Sequence, residues 1–335
     1  MSLSHAILGA SAAAAAWRLS RAASPSLELA GKAVYITGGS RGLGLELARS
    51  FGKRGARLAL VARDADELAT ARAELEGRGY EVVVHAADVS DAEEAKAAVC
   101  NAVLRLGHID VVVNCAGEIS VGPFESMTLE DLREGLRGNF WGAANTIDAV
   151  LPEMRTRSGG RIVNISSIGG LVGVPHLAPY VTGKFALTGY SLTLRAELAQ
   201  HGIKVVTVCP GLLRTGSPRN ASFKGDAKAE YAWFRLGDSL PLLSMNAAAA
   251  AERIVEATTD GRARLILTTQ AKLAAFLEAV WPDGATLAAA WANRLLPHGK
   301  SNEVARGRDL PDILPPVVTA LDDAAAGRNN ELRAT

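Results

Sequence analysis

Tyr180 and Lys184 stand four residues apart in the stretch RIVNISSIGGLVGVPHLAPYVTGKFALTGYSLTLRAELAQ, residues 161–200. On a helix that spacing puts both side chains on one face. A free phenol titrates near 10, too high for acid/base work at neutral pH. An ammonium on the same face favours the phenolate and lowers that value, so the phenol becomes a usable proton donor or acceptor. Ser167, thirteen residues before the tyrosine, adds a hydroxyl that can hold a substrate oxygen. Such a trio puts a proton on an oxygen or takes it off. It cannot move hydride, so the chain needs a hydride carrier. Tyr-x-x-x-Lys alone is commonplace on amphipathic helices, and the carrier's site must be found elsewhere.

The elements that would position these groups are readable. RIVNIS suits a buried strand, and the helix begins near Ala178, with Pro179 in its first turn, and stops at Gly202. Near the start, KAVYIT reads as a strand, TGGSRGLG (37–44) as a turn, and a helix runs on through Phe51. A glycine-rich turn between strand and helix lets backbone N–H groups face a pyrophosphate, with Gly38, Gly42 and Gly44 leaving room. The second strand, RLALVA (57–62), ends in Arg63 and Asp64, where a dinucleotide fold reads the adenosine ribose. Arg63 and Arg41 together suit a 2′-phosphate, hence NADP(H) rather than NAD. The plainer alternative is two surface arginines, one paired with Asp64.

Alternation continues with a helix at 66–77, a strand ending near Asp88, and a capping box read at Ser90 and Glu93. DVVVNCAG (110–117) is a strand and turn, followed by one long helix at about 129–154 carrying Asn139. IKVVTVCPG (203–211) and RARLILTT (262–269) supply two more strands. Strands separated by helices imply an α/β fold, a doubly wound Rossmann-type parallel sheet of about seven strands, in one main domain.

The bulk properties narrow the function. Lys plus Arg is 36 against 35 for Asp plus Glu, so no basic surplus points to nucleic acid. Cys100, Cys115 and Cys209 lack metal-ligand spacing, so no metal is expected, and all three read as reduced core thiols of a cytoplasmic protein. The apolar run Ala6–Trp17 is too short to cross a bilayer and has no preceding Lys or Arg. It reads as an Ala-rich helix packed on the domain or a neighbour, or as a membrane-surface contact. Leu273, Phe276, Leu277, Val280 and Trp281 recur at helical spacing, Pro282-Asp283-Gly284 breaks the run, and a second apolar helix covers 285–296. That much apolar surface calls for a cover: the protein's own body, a second subunit or a lipid surface. A homo-oligomer, dimer or tetramer, and a peripheral membrane contact are therefore expected. The reading divides the chain into an extension (1–30), the NADP-binding domain (31–269), a helical extension (270–297) and a flexible tail (298–335).

Over about residues 31–269 the chain resembles the short-chain dehydrogenase/reductase family. The motifs are TGGSRGLG with Gly38, Ser40, Arg41, Gly42, Leu43 and Gly44; Asp88–Val89; Asn114-Cys115-Ala116-Gly117; Asn139; Ser167; Tyr180 with Lys184; Pro210–Gly211; and Thr215. The resemblance implies that Tyr180 is the general acid/base, that Lys184 tunes it and holds the nicotinamide ribose, and that Ser167 binds the substrate oxygen. It implies that Asn139 helps hold a relay water beside Lys184, that Asp88 contacts the adenine, and that Thr215 contacts the nicotinamide carboxamide. Cys115 departs from the family's usual second asparagine, which puts the support of neighbouring strands in doubt. The substrate cover, residues 212–243, carries Phe223, Tyr231, Trp233, Phe234 and Leu236 with Ser217, Arg219, Asn220 and Lys224; Leu171, Val172 and Val174 add apolar wall. This suits NADPH-dependent reduction of a medium or long apolar ketone, such as a 3-oxo lipid or a 3-ketosphinganine-like intermediate. The alternatives are an alcohol dehydrogenase working oxidatively and a non-catalytic NADP-binding redox sensor.

Overall fold

The structure, a computed structural model, describes residues 26–241 and 243–332, so the Ala-rich run lies outside the described residues. In chain order the elements are β1 (Ala33–Thr37), α1 (Gly42–Gly52), β2 (Arg57–Ala62), α2 (Ala65–Gly77), β3 (Val82–Ala86), α3 (Ala92–Leu106), β4 (Val111–Asn114), β5 (Ser120–Val121), α4 (Leu129–Leu136), α5 (Gly142–Thr156), β6 (Gly160–Ile165) and α6 (Ala178–Leu198). There follow β7 (Ile203–Cys209), β8 (Leu212–Arg214), β9 (Ser222–Phe223), α7 (Ala227–Ser239), β10 (Ser244–Asn246), α8 (Ala247–Asp260), β11 (Arg264–Ile266), α9 (Thr269–Val280), α10 (Pro282–Asn293), β12 (Ala305–Arg306) and α11 (Pro316–Arg328).

Seven strands form one sheet in the order β3-β2-β1-β4-β6-β7-β11, and every pairing is parallel. The strands read as continuous apolar runs because both faces are covered. Val34, Ile36, Val111 and Val113 pack with α1, α2 and α8, while Ala33, Tyr35 and Val112 pack with α3, α5 and α6. Strand order reverses between β1 and β4, which opens a crevice at their carboxyl ends.

Four local expectations change. The cap of α3 is Asp91, which accepts from the N–H groups of Glu93 and Glu94, and the Ser90 hydroxyl is instead bonded to Asp88 at 2.7 Å. The long helix is α4 and α5 joined by a π turn at Arg137–Trp141. The break between the two apolar helices falls at Trp281 (φ −149°, ψ 71°), and Pro282-Asp283-Gly284 is the first turn of α10. The segment read as a flexible tail folds back: β12 pairs antiparallel with β9, and α11 packs on α7.

Arg235 of α7, fully buried, explains the last difference. Its guanidinium pairs with Asp312, Asp322 and Asp323 of the C-terminal segment. Acidic residues of the C-terminal segment are thus the counter-charges of one buried cation. The hairpin of α9 and α10 is different. Leu273, Phe276, Val280, Trp281, Leu287 and Trp291 are each more than half exposed, so among the described residues this apolar face has no cover. No helix among the described residues is long and apolar enough to cross a membrane.

Candidate active site

A cavity of about 830 Å³ opens at the carboxyl ends of the strands. Gly38, Ser40, Arg41, Gly42, Leu43, Gly44, Arg63, Asp88, Val89, Ala116, Gly117, Asn139, Ser167, Tyr180, Lys184, Pro210, Gly211 and Thr215 all line it. Asn114 does not. Its amide donates to Asn164 Oδ1 at 2.8 Å, and Asn164 donates to Ser191, tying β4 to β6 and α6. Thr37 Oγ1 accepts from the N–H groups of Cys115 and Ala116. The support that Cys115 put in doubt therefore comes from Asn114 and Thr37. Burial pushes the Cys115 thiol up to about 12, which leaves it inert, and Cys209 is buried, whereas Cys100 is exposed on α3 and is not a core thiol.

The first turn of α6 presents Tyr180 to the cavity, and Lys184 follows one turn later. The Lys184 ammonium lies 5.6 Å from the Tyr180 ring centre and donates to the Ile165 carbonyl at 2.9 Å. Ser167 begins a short 3₁₀ turn and accepts from the Gly169 N–H at 3.1 Å. A methyl on Gly169 would meet the Tyr180 ring at 3.4 Å and the Ser167 hydroxyl at 3.6 Å, so the two groups flank one point of backbone. Asn139 sits in the π turn, a rare element that recurs at functional sites. Its amide N–H groups go to the carbonyls of Glu118 and Gly135. Its Oδ1 is buried without a partner. A Cβ on Gly117 would lie 2.8 Å from that oxygen and 3.3 Å from Lys184 Nζ, so the orphan acceptor and the ammonium border the same space.

The electrostatics run against expectation. Burial holds the Tyr180 phenol up to about 12, although the Ser167 hydroxyl pulls the other way. Burial also lowers Lys184 to about 8. With the ammonium bonded to a carbonyl, desolvation of the phenolate outweighs the charge beside it. The resident form of Tyr180 is therefore the protonated phenol.

The residues also fit the dinucleotide that the turn implies. Gly42, at φ +55°, starts α1, and the absence of a Cβ there leaves room beside its Cα that Glu331 Oε1 now occupies. Asp64 also lines the cavity, and one of its carboxylate oxygens accepts from the N–H groups of both Asp66 and Glu67 as the cap of α2. Arg63 pairs with Glu118 at 2.6 Å, and Arg41 approaches Glu67 and Glu331 at 3.6 and 3.5 Å. Asp88 is pushed up by burial, but the bonds from Ser90 and the nearby Arg63 and Arg137 prevail, so its carboxyl sits below its usual value.

Of the expected substrate wall, Val174, Trp233, Phe234, Ser217 and Asn220 line the cavity. Phe223 and Tyr231 are buried in the lid's own core, Arg219 pairs with Asp323, and Lys224 pairs with Asp131. Leu171, Val172 and Leu236 stay outside it, and Leu177 joins it. Sequence reasoning missed Glu67, Glu118, Asp238 and Glu331, all of them lining the cavity. It also missed the brace beneath the lid, where buried Glu230 accepts from Trp233 Nε1 at 2.6 Å and bonds His176 Nδ1 at 2.8 Å. Only the positioning of His176 between Ser167 and Tyr180 hinted at it.

Comparison with known proteins extends this picture. The family model described as short chain dehydrogenase matches residues 32–224. Oxidoreductase UcpA of Salmonella typhimurium is 41% identical over 189 residues, 56% of this chain and 72% of that protein. A candidate ketoacyl reductase of Streptomyces coelicolor is 39% identical over 182 residues, 54% of this chain and 70% of that protein. Among solved structures, a short-chain dehydrogenase from Streptomyces avermitilis aligns with a TM-score of 0.66 at 30% identity, covering 79% of this chain and 97% of that one. A gluconate 5-dehydrogenase from Burkholderia cenocepacia, solved in complex with NADP and tartrate, aligns at 0.63 and 27%, covering 73% and 96%.

Proposed function

Because the chain belongs to the short-chain dehydrogenase/reductase family, we propose that it is an NADPH-dependent reductase of a medium or long apolar ketone. The observation that carries the reading is Tyr180 beside Ser167 in a cavity walled by Val174, Leu177, Trp233 and Phe234. Nicotinamide, when bound, supplies hydride to the carbonyl carbon. The rest falls to side chains. Ser167 holds the carbonyl oxygen, and Tyr180 gives that oxygen its proton as charge develops there. Lys184, through its ammonium, and Asn139, through its free Oδ1, border the space from which the phenol is reprotonated. The ketoacyl reductase name of the Streptomyces coelicolor relative supports a 3-oxo acyl substrate class. The test is NADPH consumption against ketones of increasing chain length. Specificity should rise with chain length; a preference for short polar ketols or sugar acids would sink the apolar reading.

The choice of NADPH over NADH rests on Asp64 and the two arginines. One Asp64 carboxylate oxygen is engaged in capping α2, and the guanidinium groups of Arg41 and Arg63 line the same end of the cavity. A 2′-phosphate would take Arg41 and Arg63 from their present carboxylate partners. Arg41→Ala with Arg63→Ala should weaken NADPH binding relative to NADH by roughly 2–4 kcal/mol, the range for two charge-assisted contacts. Equal losses for both cofactors, read by titration of their fluorescence, would assign the arginines a purely structural role.

A further inference from the structure

The last described residues close over the glycine turn. The Gly42 N–H donates to the Asn329 carbonyl at 2.9 Å. Asn330 donates to the carbonyls of Ser40 and Glu67 at 3.0 and 3.2 Å, and Asn329 donates to that of Thr215 at 3.2 Å. Between these anchors the Glu331 side chain enters the cavity, with the residue only 7% exposed. Asn220 donates to its Oε2 at 2.5 Å, and Arg41 Nη1 lies 3.5 Å from the same oxygen. The other oxygen lies against the turn: a Cβ on Gly42 would stand 2.6 Å from Oε1. A carboxylate thus fills the space that the glycine leaves open at the start of α1.

That space is where backbone N–H groups and the helix N-terminus receive a dinucleotide's diphosphate. The Gly42 N–H is already engaged by Asn329, and a second anion there would meet both steric overlap and like-charge repulsion. The two occupants exclude each other. We propose that Glu331 is an internal competitor of the cofactor diphosphate, and that the dinucleotide binds only when residues 329–332 withdraw. The inference rests on the reading of the turn as a dinucleotide site. It adds Asn220 as a cofactor contact, since the amide that now holds Glu331 is freed to hold the diphosphate.

Glu331 suits the role of a displaceable stand-in. Burial pushes its carboxyl up to about 7; Arg41 and Asn220 pull it down, and Glu67 and Asp322 push it up. It is a single, weakly acidic group, whereas a diphosphate brings two charges to the same donors. The segment is also tied to its own helix and to α1. Beyond the contacts above, the Glu331 N–H donates to the Ala326 carbonyl at 3.0 Å, and Arg49 binds the Arg328 carbonyl and Asn329 Oδ1.

When the binding-competent state is only a fraction of the population, the apparent dissociation constant rises by the inverse of that fraction. A segment closed nine-tenths of the time therefore weakens binding about tenfold. NADPH and NADH are titrated by fluorescence against the full chain, Glu331→Ala, and a chain ending at Arg328. Both variants should bind both dinucleotides about tenfold more tightly, because the diphosphate is common to them. In the full chain, saturation with NADPH should remove hydrogen-exchange protection at the Asn329 and Glu331 amides. Affinities within twofold of the full chain, or weaker binding in Glu331→Ala, would overturn the proposal, as would added protection at 329–331 on NADPH binding. If neither the full chain nor a variant binds either dinucleotide, the cofactor reading falls and the competitor falls with it.

Discussion

Tyr180→Phe is expected to lower the rate of carbonyl reduction by roughly 10²–10⁴-fold, the span of a lost general acid, while dinucleotide binding changes by less than a few-fold. The ring keeps its place against Gly169 and Lys184, and only the hydroxyl is removed. Without it, the oxygen held by Ser167 must take its proton from water. Steady-state rates on the preferred ketone, with cofactor affinity read separately, check this. A variant that keeps more than a tenth of the wild-type rate rules out the acid role. The pH profile supplies a second readout. The ratio kcat/KM reports groups of the free enzyme, and Lys184 is lowered to about 8 in the unliganded site. Reduction should therefore decline above about pH 8 as the ammonium loses its proton. The Tyr180 phenol, at about 12, stays protonated throughout.

The parts of this site that were legible in the sequence are those fixed by local geometry. One helix sets the distance between Tyr180 and Lys184, and one strand–turn–helix unit sets Gly38, Gly42 and Gly44. The parallel sheet of about seven strands followed from strands alternating with helices, because that pattern has few topological solutions. What could not be read spans long separations. Glu331 reaches the turn across 290 residues of chain, by way of Asn330 and Ser40. The direction of the Tyr180 shift depends on desolvation, which spacing along a helix does not encode. The π turn at Asn139 lay inside a stretch whose apolar period looked like continuous helix. The α9–α10 period was readable and correct as helix, yet the pattern is the same whether the face packs inward or stays exposed. The C-terminal segment misled for a definite reason. Its composition is polar, and the partner of its carboxylates, Arg235, lies far upstream among the aromatic residues of the lid.

That buried cation carries the second large effect. Arg235→Ala should destabilise the protein by about 3–5 kcal/mol, the range for removing one partner of a buried ion pair. Asp322 has no exposed surface and depends on Arg235, at 3.2 Å, as a counter-charge; burial already holds its carboxyl above the usual range. Asp323 keeps Arg219 as a second partner, so the loss concentrates on Asp322. The consequence should be felt first where α11 docks on α7, since Arg235 is the charged link between them. Two measurements separate the local from the global response. If α11 detaches alone, limited proteolysis cuts within 310–330 while the main melting transition stays, and Glu331 is released from the turn. If α11 is part of the cooperative unit, the melting temperature falls by roughly 10 °C. Asp322→Asn added to Arg235→Ala should recover part of either loss, because the buried charge itself is gone. An Arg235→Ala protein with unchanged melting and unchanged protease resistance would show that the three carboxylates do not depend on this cation. The lid would then be held by its aromatic core, Phe223, Tyr231 and Phe234, without help from the C-terminal segment.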